Sequence, residues 1–212
     1  MSSERGRLVV ISGPTASGKS TLWRRLVALP GVTFSVSATT RAAREGEVDG
    51  RDYHFLGDEE FDRRLAAGEF LEHAEVHGRR YGTLRSEVER ALDAGLDLLL
   101  EIDVQGAEQV RASGLPLVSL FVMPPSEEVL RERLRKRGTE SEAQMERRLA
   151  IIHEEMKQSA SYDHVVVNDD FERMYAEVLG LLGMQEVGAC ARSSSASAAR
   201  PPASRRWRSA PN

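Results

Sequence analysis

The sequence predicts an α/β fold in which a parallel sheet is flanked by helices on both faces and is interrupted by a small mixed α/β insertion. Three observations predict it. Residues Gly13 to Ser20 fit G-x-x-x-x-G-K-[ST] without a gap, directly after the apolar run Leu8 to Ile11. Short apolar runs then alternate with stretches of helical periodicity, the pattern of βα units. Between the first such unit and the next, a charged, polar, glycine-containing stretch from Thr39 to Asp52 is too irregular for core.

Leu8 to Ile11 reads as a buried strand, and Ser20 to Ala28 as the helix that the loop opens, closed by Pro30-Gly31. Thr33 to Ser37 and Tyr53 to Phe55 are short strand candidates. Asp58 to Ala67 is a helix with Asp58 as its cap and Phe61 and Leu65 on one face. Phe70 to Val76 and Arg79 to Gly82 give strand and turn signals, and Leu84 to Ala94 returns to helix. Asp97 to Ile102 is the next buried strand; the acid that follows it, Asp103, stands where a carboxylate could act on Mg²⁺ or its water shell. Leu115 to Met123 is a strand stopped by Pro124-Pro125, Ser126 to Arg137 a helix capped by Ser126, and Glu142 to Ser159 a charged helix. Val165 to Val167 reads as a last buried strand and Phe171 to Leu182 as the closing helix. Such alternation places ligands at the carboxyl ends of the strands.

The loop carries the first chemistry. Its glycines let successive N–H groups point into one concavity, Lys19 reaches the β/γ-phosphates, and the Ser20 hydroxyl can ligate Mg²⁺. The helix that follows turns its positive end toward the same anion. Gly13, Pro14, Thr15, Ala16, Ser17, Gly18, Lys19, Ser20 and Thr21 are therefore candidates for binding a nucleoside triphosphate.

Composition narrows the class. A chain of 212 residues with 41% hydrophobic and 29% charged residues is ordinary for a globular protein, and no apolar run approaches a membrane span. The start leads straight into a strand without room for a signal peptide, so the expected address is the cytoplasm. Cys190 is the only cysteine, which leaves no thiolate metal site. Residues 184–212, rich in Ser, Ala, Arg and Pro, carry five arginines against Glu186 alone and read as a disordered tail. The whole-chain net charge of −4 then leaves −8 on the preceding residues, a poor balance for binding nucleic acid.

The insertion makes the reading specific. Ser37 to Arg44, then Gly46-x-x-x-Gly50-x-Asp52-Tyr53-His54-Phe55, Glu69 to Glu72, Tyr81-Gly82-Thr83, Leu100-Glu101-Ile102-Asp103-x-Gln105-Gly106, Pro124-Pro125-Ser126, Arg137-Gly138-Thr139 and Val167 to Asp170 together resemble the guanylate kinase family. The resemblance runs from about Arg5 to Leu182. It implies a P-loop NTPase three-layer fold over 5–183, made of a core (5–34 and 84–183), a GMP-binding insertion (35–83) and a helical lid at about 137–150. It also implies transfer of the γ-phosphoryl of MgATP to GMP and dGMP, with ATP and GMP as partners, Mg²⁺ as cofactor, and neither nucleic acid nor membrane involved.

The resemblance assigns Arg41, Arg44, Tyr53 and Tyr81 to the GMP phosphate, and the chemistry agrees, since two guanidinium forks suit a dianion. Glu72 is the base reader, because guanine offers N1–H and N2–H₂ to one carboxylate whereas adenine presents a lone pair at N1. Ser37 and Thr83 resemble the hydroxyls around the base, with Glu101 or Asp103 near N2. Arg133, Arg137 and Arg148 resemble the lid arginines, and Asn168 is assigned to the adenine. Lys19, Arg137, Arg148 and Asp103 are then the catalytic candidates.

Two departures stand out. Guanylate kinases usually carry Ser-Gly where Thr15-Ala16 stand and Asp where Glu101 stands; if the loop needs positive φ at Ala16, the methyl costs about a kilocalorie or two. The sequence Gly-Pro-Thr-Ala-Ser-Gly-Lys is typical of tRNA dimethylallyltransferases, but the complete GMP-type insertion and the acidic body argue against that class. A guanylate-kinase-like protein-binding module without catalysis is the other alternative, opposed by the presence of Lys19, Arg41, Arg44 and Glu72. A kinase of ribose bisphosphates is opposed by Glu72. Oligomeric state is left open.

Overall fold

A computed structural model of the chain describes residues 5–76, 78–136 and 142–186. They form two compact units, 5–34 with 91–186 and 35–90. The expected lid motif Arg137-Gly138-Thr139 lies outside the described residues, as does the tail from 187, Cys190 included.

The first unit is built on β1 (Leu8–Ser12), all five residues of which are buried. The loop follows, then α1 (Lys19–Val27) and β2 (Val32–Phe34). After the second unit and α3 (Arg85–Asp93), the chain continues through β7 (Asp97–Glu101), α4 (Val104–Ala112) and β8 (Leu117–Met123). Helices α5 (Glu127–Arg135) and α6 (Glu142–Lys157), strand β9 (His164–Val167) and α7 (Phe171–Leu182) complete it. The five strands pair in parallel in the order β2-β7-β1-β8-β9. Val9 stands beside Leu99 on one side and Val118 on the other. A parallel sheet must cover both faces, and one apolar cluster covers one of them. Val9, Ile11, Leu99, Leu120, Val122 and Val166 pack with Leu22, Trp23 and Leu26 of α1 and with Met174, Val178 and Leu182 of α7.

The second unit holds β3 (Ala38–Thr39), β4 (His54–Phe55), α2 (Asp58–Ala66), β5 (Phe70–Val76) and β6 (Arg79–Leu84). Its sheet runs β4-β3-β6-β5, antiparallel at β3–β6 and β5–β6 and parallel at β3–β4. Phe61 stacks on Phe70 at 4.4 Å between centroids, and with Ala38 and Leu84 they make a small core. Gly82 permits the tight crossing, since a Cβ there would lie 2.7 Å from the Phe70 ring and 2.9 Å from the Glu72 carbonyl.

Several expectations need correction. Helix α4 escapes the periodicity reading, although its signals are present: Asp103 accepts from the Gly106 N–H at 2.8 Å as its cap, and Ala107 and Val110 share a buried face. The cap of α2 is Gly57, so Asp58 lies in the first turn, where it complements the helix dipole. Leu84 ends β6 and does not open α3. Residues 35–37 belong to no strand; they join β2 to β3. In the strand read as wholly buried only Val166 is covered, with Val165 and Val167 45% and 43% exposed, because β9 is the edge of its sheet. Residues 184–186, read as the start of the tail, are held: the Met184 N–H donates to the Leu179 carbonyl at 2.9 Å and Glu186 pairs with Arg25 at 3.1 Å.

Candidate active site

In the first unit the loop between β1 and α1 is shaped by its two motif glycines. Gly13 has φ +145°, and a Cβ on it would stand 2.4 Å from the Val122 carbonyl of β8. Gly18, at φ +101°, caps α1, and its Cβ would meet Asn168 Nδ2 at 2.0 Å. No side chain caps α1 and no acid stands in its first turn, so no carboxylate competes with an anion at the positive end of the helix. The Lys19 ammonium donates to the Pro14 carbonyl at 3.2 Å, which keeps the cation over the loop.

The crown of the loop is clamped from three sides. Asn168 Nδ2 donates to the Ser17 carbonyl at 2.7 Å. Arg133 donates to the Asn168 carbonyl at 3.0 Å and reaches the Ala16 carbonyl at 3.4 Å. Ala16 turns its methyl into an apolar cluster with Leu130 and Leu134 of α5 and Met145, Leu149 and Ile152 of α6. Asn168 is 6% exposed, so the residue assigned to adenine is a buried brace of the loop, and Arg133 braces it in turn. Arg148 stands on α6, half-buried.

Ala16 has φ +67°, the only positive value outside glycine among the described residues. The αL conformation costs an L-residue about 1–2 kcal/mol, while its buried methyl returns roughly 0.8 kcal/mol. Ala16→Gly is therefore expected to leave the melting temperature within about 3 °C of the parent, the two effects nearly cancelling. Ala16→Val, β-branched at positive φ in a filled cluster, is expected to lower it by about 6 °C or more. Thermal unfolding of the three proteins checks both.

At the carboxyl end of β7 the acid bonded to the loop is Glu101, which accepts from the Ser20 hydroxyl at 2.6 Å. Asp103, the residue the sequence puts forward for metal chemistry, has one oxygen committed to the cap of α4. A serine hydroxyl backed by a carboxylate is a hard oxygen donor set. Among the described residues no three His, Cys, Asp or Glu side chains converge on a metal-sized point. The Ser20–Glu101 pair fits Mg²⁺ held by Ser20 together with nucleotide phosphates and water.

The second unit gathers the other candidates. Glu72 of β5 is 8% exposed and accepts from the Thr83 hydroxyl of β6 at 2.6 Å; the two are cross-strand neighbours. The half-buried rings of Tyr53 and Tyr81 lie 6.1 Å apart, and the Arg41 guanidinium sits 5.4 Å from the Tyr53 ring. Arg41 Nη2 donates to both Glu47 oxygens at 2.9 Å, and the Arg44 N–H donates to Glu47 at 2.7 Å. Burial opposes the Arg41 cation, but Glu47, with Tyr81 nearby, raises its pKa above the ordinary arginine value. Burial likewise pushes the Glu47 carboxyl up, and the Arg44 N–H and Arg41 outweigh it and hold it below the usual carboxylate range. The Arg44 side chain is exposed, and the Ser37 carbonyl accepts from the His54 N–H at 3.0 Å.

Arg41, Arg44, Tyr53, Glu72, Tyr81, Thr83 and Ser37 thus share one unit, while Glu101 and Asp103, also assigned to GMP, belong to the other. Arg137 lies outside the described residues. Glu47 was missed by the sequence reading; an acid six residues after Arg41 in a loop of mixed charge was the available signal.

Comparison with known proteins agrees with this arrangement. The sequence profile of the family described as guanylate kinase matches residues 5–184. The chain is 51% identical over 179 residues to the guanylate kinase of Symbiobacterium thermophilum, covering 84% of this chain and 85% of that protein. It is 51% identical to that of Rubrobacter xylanophilus, covering 84% and 94%. Its fold matches the crystal structure of guanylate kinase from Anaplasma phagocytophilum with a TM-score of 0.62 at 37% identity, over 85% and 86% of the two chains. With a phosphate loop on a parallel sheet and an arginine, tyrosine and buried-glutamate set in a second unit, the chain belongs to the guanylate kinase family.

Proposed function

We infer that the protein is an ATP:GMP phosphotransferase, passing the γ-phosphoryl of ATP to GMP to give ADP and GDP. The observation that carries the reading is Glu72: a buried carboxylate oriented by the Thr83 hydroxyl is an acceptor, and the Watson–Crick edge of guanine offers it two adjacent donors. Arg41, Arg44, Tyr53 and Tyr81 supply the cations and hydroxyls a monophosphate dianion requires. ATP phosphates lie in the loop at the positive end of α1, with Lys19 on the transferring end.

Phosphoryl transfer needs little covalent help from a protein. Lys19 and the arginines Arg137 and Arg148 neutralise charge that grows on the equatorial oxygens, and the two substrate sites fix the line of attack. Ser20, with Glu101 behind it, would hold Mg²⁺, which would supply further charge neutralisation on the phosphates. Closure of the lid excludes water, which competes with GMP as acceptor. No helix among the described residues is long and apolar enough to cross a membrane.

The test is ADP formation from MgATP by the full-length protein with GMP, dGMP, AMP, UMP, CMP or no acceptor. Turnover with GMP, and more slowly with dGMP, is expected, with none from the other three; equal turnover without acceptor would make the protein an ATPase and overturn the reading.

A further inference from the structure

Helix α6 brings one more charge to the phosphate loop. Its buried stripe of Met145, Leu149 and Ile152 packs with Ala16, so the helix is seated on the crown of the loop. Glu155 lies one turn beyond Ile152, half-buried. Neighbouring acids of the same helix find cations at the surface: Glu146 pairs with Arg131 at 2.6 Å and Glu154 with Lys157 at 2.6 Å. Among the described residues Glu155 has no such pair, and the charges that act on it are Lys19 of the loop and Asp103 after β7. Burial pushes its carboxyl up, Lys19 pulls it down, and Asp103 adds to the rise.

This surplus of negative charge beside a phosphate site needs a reason. The loop has one lysine, Lys19, against a set of three acids: Glu101, bonded to the adjacent Ser20, and Asp103 and Glu155, which act on each other, with Lys19 acting on Glu155. A bare polyphosphate meets repulsion from that set, whereas the same polyphosphate carrying a divalent cation meets attraction. We propose that Glu155 is a specificity-determining residue for the charge state of the nucleotide, favouring the magnesium complex over the metal-free form in the phosphate loop.

The proposal rests on the reading of the loop as the ATP site, and the experiment separates the two. Calorimetric titrations of the full-length protein with ADP in chelator and with MgADP give the ratio of the two affinities. The parent is expected to bind MgADP more tightly. Glu155→Gln is expected to tighten metal-free ADP by roughly fivefold to tenfold while MgADP changes less than twofold, so the ratio collapses. Glu155→Asp, which keeps the charge, is expected to keep the ratio. A ratio unchanged in Glu155→Gln, or moved equally in both variants, overturns the proposal and leaves the loop assignment standing. A parent that binds neither form overturns the loop assignment itself.

Discussion

Lys19→Met is expected to lower kcat for GMP phosphorylation by about 10²–10³-fold, with KM for GMP within about threefold of the parent. Methionine keeps the unbranched stem and removes only the charge. In the parent the ammonium lies over the loop, 3.2 Å from the Pro14 carbonyl, close to where the β/γ-phosphates meet the start of α1. Charge there grows on the transferring group only as the bond to ADP loosens, so the loss falls on kcat more than on binding. The loop itself is held by Asn168, Arg133 and the glycine geometry at 13 and 18, none of which involves Lys19, so the melting temperature is expected to stay within about 2 °C. Steady-state kinetics with both substrates varied, alongside a melt, checks this. A kcat within tenfold of the parent would show that the transferring phosphate does not lie at this lysine.

The loop was legible because its motif states its own backbone requirements. The cost anticipated at Ala16 follows from the same source, and the residue does stand at φ +67°. What the sequence could not convey was which side chains the fold would bring to that loop from far along the chain. Asn168 and Arg133 lie well over one hundred residues from Ser17, and their bonds to its neighbourhood are set by strand order, which no local pattern encodes. Asp103 shows the converse: its position at a strand end suggested metal chemistry, and the fold adds a second demand on it, the unsatisfied start of α4. The acid two residues earlier, Glu101, is the last residue of β7 and is the one bonded to Ser20. In the second unit the residue types carried the assignment, and pairing of β5 with β6 supplied the contact between Glu72 and Thr83.

That contact decides how Glu72→Gln behaves. The Thr83 hydroxyl donates to one carboxylate oxygen at 2.6 Å in a site that is 1% exposed at Thr83 and 8% at Glu72. Glutamine meets this donor with its carbonyl oxygen, which commits its amide N–H₂ to the side that reads the base. Guanine N1–H and N2–H₂ then face donors, and a buried donor opposed to a donor forfeits the hydrogen bond and keeps its desolvation cost. A loss of about 10³-fold in kcat/KM for GMP is expected, since a site built around specific hydrogen bonds rejects a mismatched edge by large factors. Adenine N1 is an acceptor and suits the new amide, so AMP is expected to gain as GMP falls and the preference between them to narrow from both sides. KM for ATP is expected to hold within about twofold, because the loop, its clamps and Lys19 belong to the other unit. Kinetics with GMP and AMP at saturating ATP, then with ATP varied, separates these effects. Equal loss for ATP and GMP would mean that Glu72 serves the loop as well, and the assignment of one nucleotide to each unit would fail.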